Sequence, residues 1–369
     1  MLIQIHMLQN YAPSNLNRDD TGSPKDAVFG GYRRGRISSQ CLKRSIRHSE
    51  TFKDVFEADG LLAKRTLELP RLVKEELEAM GVADEAVSTI TKILATLGGG
   101  KDAEGLKTKL LIFLTSVEVT EVTHKLWDHY QEIGDKAFAK LKIGDLENVM
   151  AHATPRSIDV SMFGRMTTSI AFEDVEAAVQ VAHALSTNAL DREFDYFTAV
   201  DDISGESGAS MIGDVEFNSS TYYKYFNIHW EKLVENLGGD KQTAGKAVMA
   251  LLEAAAFAQP SGKQNSFAAQ NLPDFVFVEV SQKNVPVSYA NAFLKPISKF
   301  DGVQSSLIEN SIKRLNDCVQ NIQTAYGLSN QQAFFAVPND INFNNGEDVA
   351  TLAGLQAWTA EKIGVQPDG

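Results

Sequence analysis

Strand and helix patterns alternate along this chain, but a long helical stretch and an acidic excursion interrupt them. Residues 2 to 8 alternate in the manner of a half-buried strand, and Asn10 to Phe29 follow as a polar loop rich in Asn, Asp, Ser and Pro. The pair Ser38-Ser39 is placed to cap a short helix running to about Ser49. From about Lys53 to Leu146 the texture becomes helical, with Leu62, Leu67, Leu69, Leu72 and Leu77 set among charges and a break at Gly98-Gly99-Gly100. Strand character returns at Ile158 to Phe163, and Ala171 to Ser186 reads as a helix with Val175, Val179 and Ala182 on one face.

Residues 198 to 217 hold five acidic side chains and no basic one, and lead through Phe217 into an aromatic strand at Tyr222 to Phe226, a pattern that predicts a long hairpin. A helix near Lys241 to Phe257, a strand at Phe275 to Val280, a helix from Ser305 to Tyr326 stopped by Gly327, and a strand at Ala333 to Val337 complete the series. The expected class is α+β, with a core like the split β-α-β unit and two appendages.

A chain of 369 residues with 43% hydrophobic content has room for one large domain with insertions or for two ordinary domains. No apolar run is long enough to span a membrane, and Met1 to His6 lack the pattern of a secretion signal, so the cytoplasm is the expected compartment. The two cysteines, Cys41 and Cys318, belong to no CxxC motif, which fits a reducing environment and speaks against zinc.

The net charge of −13 argues against a uniformly basic nucleic-acid binder. Its distribution is uneven. Residues 1 to 52 carry eight basic and four acidic side chains, +4, which leaves −17 on the remainder.

Between Tyr32 and Arg47 there are six basic residues and no acid. If Ser39 to Ser49 is helical, Gln40, Lys43 and Arg47 share one face and Leu42 and Ile46 another, since a helix advances about 100° per residue. Such a face suits phosphates, with the capping hydroxyls and N-terminal amides adding donors. The same spacing also fits a solvated surface helix. The loop holding Arg18, Asp19, Asp20, Lys25 and Asp26 could place carboxylates on a hard metal or in turns.

Neither a phosphate-binding glycine loop nor an HExxH or Gly-x-Ser-x-Gly motif occurs. His48-Ser49-Glu50 and His229-Trp230-Glu231 lack the cysteine pair of a zinc deaminase. His6 reads as a satisfied sheet histidine. Arg165 and Met166 stand at an expected strand end, where an exposed methionine can wedge between bases. Tyr196 and Phe197 read as core aromatics on composition, or as stacking surfaces beside a nucleic-acid path.

Three segments occur in a fixed order: Asn17-Arg18-Asp19-Asp20, then Lys25-Asp26-Ala27-Val28-Phe29-Gly30-Gly31, then the run from Arg36 to Arg44. In that order they resemble the N-terminal signature of the CasC-type backbone subunits of type I-E CRISPR Cascade, within the RAMP superfamily. The likeness continues at Gly164-Arg165-Met166, Ala182-His183-Ala184, Asp195 to Asp202, Asn236 to Gly239 and Ser288 to Phe293. It is weakest from about 53 to 155 and after about 330.

The resemblance implies an RNA-recognition-like (ferredoxin-like) palm from residues 1–52, 156–197 and 222–369, helical fingers at 53–155 and a β-hairpin thumb at 198–221. It implies a guide-RNA backbone lying against Arg18, Lys25, Ser38, Gln40, Lys43 and Arg47, with Arg165 beside it and Met166 as a wedge. A neighbour's Phe197, Thr198, Val200 and Ile212 would displace one nucleotide per subunit. Copies would pack head to tail with other Cascade subunits and leave bases for pairing with target DNA. The family brings no catalytic residue, metal or cofactor. Two other classes remain open: a metal-dependent RNA-cleaving backbone subunit using Asp19, Asp20 or Asp26, and a guide-processing ribonuclease using His6 or His48, neither of which has an evident partner in the sequence.

Overall fold

The computed structural model describes residues 1–99, 104, 106–151, 157–203, 207–298, 306–339 and 341–366; Gly100, Ser305 and the excursion's residues 204–206 lie outside the described residues. Two compact units divide the chain, one of residues 1–52, 179–231 and 241–369, the other of residues 53–178 and 232–240.

The first unit is built on a ten-stranded sheet. Its centre is β1 (Leu2–Ser14), flanked on both sides by antiparallel partners: Leu2 lies opposite Ser281 of the strand Phe275–Ser281 and opposite His229 of the long strand Ser207–His229. Beyond Phe275–Ser281 lie Gln331–Ala336 and, in parallel, Glu347–Asp348. Beyond the long strand lie Ala184–Ser186, then β3 (Tyr32–Ile37) and β2 (Asp26–Phe29).

Leu2 through Gln9 are all buried, so β1 is covered on both faces rather than half-buried as the alternation predicts. On one face Leu8, Tyr223, Phe275 and Phe277 pack against Ile312, Leu315 and Val319 of the helix Leu307–Tyr326. Ser306 and Glu309 form a capping box at that helix's start, and Gly327 ends it in the left-handed region. The N-terminal polar loop is shorter than expected, because β1 continues to Ser14 and Asp26–Phe29 is itself a strand.

The second unit is helical, with Leu69–Ala79, Asp84–Leu94, Ser116–Ile133 and Ile143–Met150 closing on Val73, Leu77, Ile90, Leu94, Val122, Leu126 and Leu146. A two-stranded sheet, Lys64–Thr66 with Ile112–Leu114, accompanies them. Two expected elements are corrected. Ile158–Phe163 is a helix, not a strand: Ser157 accepts from the Val160 amide at its start and Gly164, φ +83°, ends it. A run of six apolar-rich residues satisfies either period, and here the caps decide. Ala171 to Ser186 is not helical; Val179–Val181 and Ala184–Ser186 instead pair antiparallel with the long strand. Sheet pairing overrides the helical spacing of Val175, Val179 and Ala182. The α+β class stands, with a mostly antiparallel sheet.

Candidate nucleic-acid interface

The six cations between Tyr32 and Arg47 divide into two groups. On β3, Arg34 is fully buried and its guanidinium donates to the carbonyls of Ser186, Thr187, Phe293 and Leu294. It works as a clasp between loops, and burial pushes its pKa down. A Cβ at Gly30, φ +60°, would overlap the Leu294 carbonyl, so the tight β2–β3 turn needs glycine there. Arg33 pairs with Asp26 at 2.6 Å, and Arg36 donates to the Asp26 carbonyl and meets His183.

The remaining cations lie on α1 (Ser39–Arg47), where Ser38 is the N-cap and accepts from the Cys41 amide. Leu42 and Ile46 are buried, Gln40 and Arg44 are exposed, and Lys43 and Arg47 are half-buried. Burial of the Lys43 amine lowers its pKa. The helix therefore anchors by its apolar side with its polar face outward, as the spacing predicts. Asn17 couples it to the preceding loop: its Oδ1 accepts from the Ser38 amide at 2.9 Å and its carbonyl from the Lys25 amide at 2.8 Å. Arg18 is exposed in that loop, bridged to Pro24. Arg18, Lys25, Ser38, Gln40, Lys43 and Arg47 thus belong to one connected segment, although Ser38 is buried and its hydroxyl is used as a cap.

The excursion is a hairpin of Glu193–Val200 against 207–217, with Phe197 opposite Gly213 and Thr198 opposite Ile212. Cross-strand partners share a face and successive residues alternate, so Thr198 and Ile212 lie on one face and Phe197 on the other. The four expected thumb residues are not one surface. Tyr196, two residues from Thr198, is 65% exposed and is no core aromatic. Val200, Met211 and Ile212 are also exposed, and Ile203 is 98% exposed. The base is well anchored: Arg192 joins Asp26 to Glu216, and Phe217 packs on Phe267.

In the second unit, Arg165 is buried and corrects the expectation that it meets RNA. Its guanidinium pairs with Glu118 at 2.7 Å and donates to the carbonyls of Phe113 and Glu173. The neighbouring Met166 is 93% exposed. A pinned arginine thus holds an exposed methionine on fixed backbone.

The acidic residues do not converge. Asp19 Oδ1 accepts from the Thr21 hydroxyl and from the Thr21 and Ser23 amides, and these bonds, led by the hydroxyl, lower its pKa. Burial works to raise the Asp26 pKa, but Arg33 and Arg192 outweigh it and hold the carboxyl below its ordinary value. Among the described residues no three His, Cys, Asp or Glu side chains gather as a metal site.

His6 is the satisfied sheet histidine that its position suggests, with partners that the sequence does not show. Its Nε2 lies 3.1 Å from Glu279, its Nδ1 2.8 Å from the Tyr223 hydroxyl, and all of it is buried. Glu279 also accepts from Gln332, Asn330 and Tyr289. The network satisfies a polar core, with the half-buried Asn330 and Gln332 at its outer edge.

Sequence reasoning missed a cleft of about 550 Å3 in the first unit, beside α1 and lined by Cys41, Arg44, His48, Phe257 and Gln259 among others. The available signal was Phe257, an aromatic that ends the helix Lys241–Phe257.

The sequence profile of a family described as CT1975-like protein matches residues 3–360. A chain of a structure described as a CRISPR RNA-guided surveillance complex, pre-nicking, is 30% identical with a TM-score of 0.83, the match covering 98% of this chain and 100% of that one. A chain of another CRISPR RNA-guided surveillance complex is 26% identical with a TM-score of 0.62, covering 98% and 99%. No curated protein matches.

Proposed function

We propose, because this chain belongs to the family of CT1975-like proteins, that it is a guide-RNA-binding backbone subunit of a Cascade-type CRISPR surveillance complex. The finer reading is the CasC-type subunit of a type I-E complex, which polymerises head to tail along the guide beside the other subunits. The observation that carries the reading is the one-sided helix α1, cationic outside and anchored by Leu42 and Ile46, in a chain matched end to end by subunits of RNA-guided complexes. Contacts to phosphates carry little sequence information, so such a subunit holds any guide and leaves sequence reading to base pairing with target DNA.

Met166 is the wedge that kinks the guide, and its pinned, exposed position supports that role. The hairpin of one copy displaces a nucleotide held by the next. The subunit performs no catalysis and needs no cofactor: the turn bonds of Asp19 and the ion pairs of Asp26 support structural roles for these acids. It acts in the cytoplasm; no helix among the described residues is long and apolar enough to cross a membrane.

The test is to assemble purified protein on an RNA of defined length, weigh the particle, and incubate it with labelled RNA with and without Mg2+ or Mn2+. A mass rising in whole protomers with RNA length, and intact RNA, is the expected result. Metal-dependent cleavage abolished by Asp26→Ala would replace this reading with the nuclease.

A further inference from the structure

We infer that the cleft beside α1 receives one unstacked nucleobase of the bound RNA, with the ring of Phe257 as its stacking surface. This deepens the proposed guide-RNA reading and rests on it. The cleft, about 550 Å3, lies within the range of small-ligand pockets. Its position follows from helical spacing: Arg44 neighbours Gln40 and Arg47 on α1 at four and three residues, and His48 follows Arg44 at four. The exposed Arg44 side chain therefore belongs at once to the polar face of α1 and to the cleft wall. A backbone bound along that face passes the cleft mouth.

The chemistry of the walls decides which part of a nucleotide enters. Glu50 lines the cleft together with Arg44 and His48, and a carboxylate there disfavours entry of a phosphate. Phe257 is 49% exposed although it closes a helix whose apolar side is buried. An exposed aromatic beside cations is the usual platform for single-stranded bases, and every base has a π-face to offer it.

Gln259 is fixed in place: its Oε1 accepts from Gln9 Nε2 at 3.2 Å and from the Tyr11 hydroxyl at 2.5 Å. Its Nε2 makes only long bonds, 3.4 Å to the carbonyls of Ala256 and Phe257. It can thus donate to a base acceptor without losing its anchor.

The experiment uses the full-length protein and a fluorescein-labelled single-stranded RNA, titrated at several salt concentrations, with a 5-bromouridine-substituted copy for photocross-linking to the unmutated protein. Phe257→Ala should weaken binding about tenfold at every salt concentration with the salt slope unchanged, because stacking releases no counterions. Phe257→Tyr should bind as the parent does. Cross-links should fall on the peptide containing Phe257.

Full affinity in Phe257→Ala, with cross-links elsewhere, overturns the cleft assignment. It leaves the RNA-binding reading intact if Lys43→Ala with Arg47→Ala still flattens the salt slope, and defeats both if the slope stays put. Normal RNA affinity in Phe257→Ala with failed assembly of copies would make the cleft a protein contact and would likewise overturn the inference.

Discussion

Helix α1 and the acidic hairpin both carry apolar and charged residues in regular alternation, yet only α1 has something to rest on. Leu42 sinks into a core with Tyr11, Ile37 and Tyr222, Ile46 is buried beside it on the same helix, and the cations stay exposed or half-buried. The hairpin exposes Phe194, Tyr196, Val200, Met211 and Ile212, and its charged residues are all acidic between 198 and 217. A two-stranded ribbon of this kind is marginal alone in water, and its exposed apolar side chains suit the docking role proposed for it. A binding face can be prepared by the protomer's own core, whereas a docking element stays incomplete until its partner arrives.

The largest loss should follow deletion of residues 203 to 214. The sheet keeps its core, because the hairpin base is held by Arg192, Glu216 and the Phe217–Phe267 contact. The variant should be folded and soluble but unable to form long particles on guide RNA, as judged by size-exclusion chromatography with light scattering. Normal particles that still unstack guide bases at regular intervals would show that the hairpin is not the docking element.

Next in size is Lys43→Ala combined with Arg47→Ala, which strips the prepared face and leaves its floor. RNA affinity should fall almost equally for all sequences, and the slope of log affinity against log salt should flatten by about 0.7 for each lost contact. An unchanged slope in a fluorescence titration would remove these residues from the interface.

The same contrast explains what the sequence could tell. The face of α1 was legible because an i, i+3, i+7 pattern of polar residues against two apolar ones has one helical solution. Arg34 and Arg165 were not separable from Lys43 and Arg47 by composition. A buried arginine clasping carbonyls and a surface arginine read identically until the distant loops at 186–187 and 293–294, or Glu118, are in place. The Ile158–Phe163 and Ala171–Ser186 assignments failed for a related reason: short apolar runs satisfy both periods, and a long strand 30 to 50 residues further on decided the second. The hairpin was visible from its acidic charge and the aromatic strand that follows it, but its two faces depend on register, which places Phe197 opposite Gly213.

A smaller effect is expected at the hairpin base. Asp26 joins β2 to Arg192, whose guanidinium also meets Glu216. Both arginines are roughly half exposed, so Asp26→Ala should cost only about 1 kcal/mol. Because the folded carboxyl titrates below its ordinary value of 3.8, this stabilisation is present above that pH and is lost as pH falls through the folded pKa. Urea midpoints of parent and variant should differ at pH 6 and draw together as pH falls through the folded pKa, which lies below 3.8. A difference that persists in acid would mean that the carboxyl acts by packing rather than by charge.

The smallest expected effect on RNA binding lies beneath α1. Lys224 is buried on the long strand with its amine 5.9 Å from the Tyr11 ring centroid, and burial pulls its pKa from 10.5 to about 7, the Cys41 thiol opposing slightly. Burial raises the pKa values of Tyr11, Tyr222 and Cys41, so in the folded protein these neighbours stay neutral while Lys224 titrates. Between pH 7 and 10.5 the unfolded chain holds the lysine proton that the folded chain gives up, so stability rises with pH across that window. Below pH 7 both states are protonated and the slope vanishes. Lys224→Met, which keeps the volume and removes the charge, should therefore stabilise the protein most at pH 7 or below. That advantage should shrink when thermal midpoints are followed up to pH 8.5, short of the ordinary cysteine value of 9.0. RNA affinity should not change, because the amine lies under the proposed binding face and not on it. An advantage constant with pH would mean that the lysine stays charged in the folded state, and that the floor on which α1 rests is wetter than its burial implies.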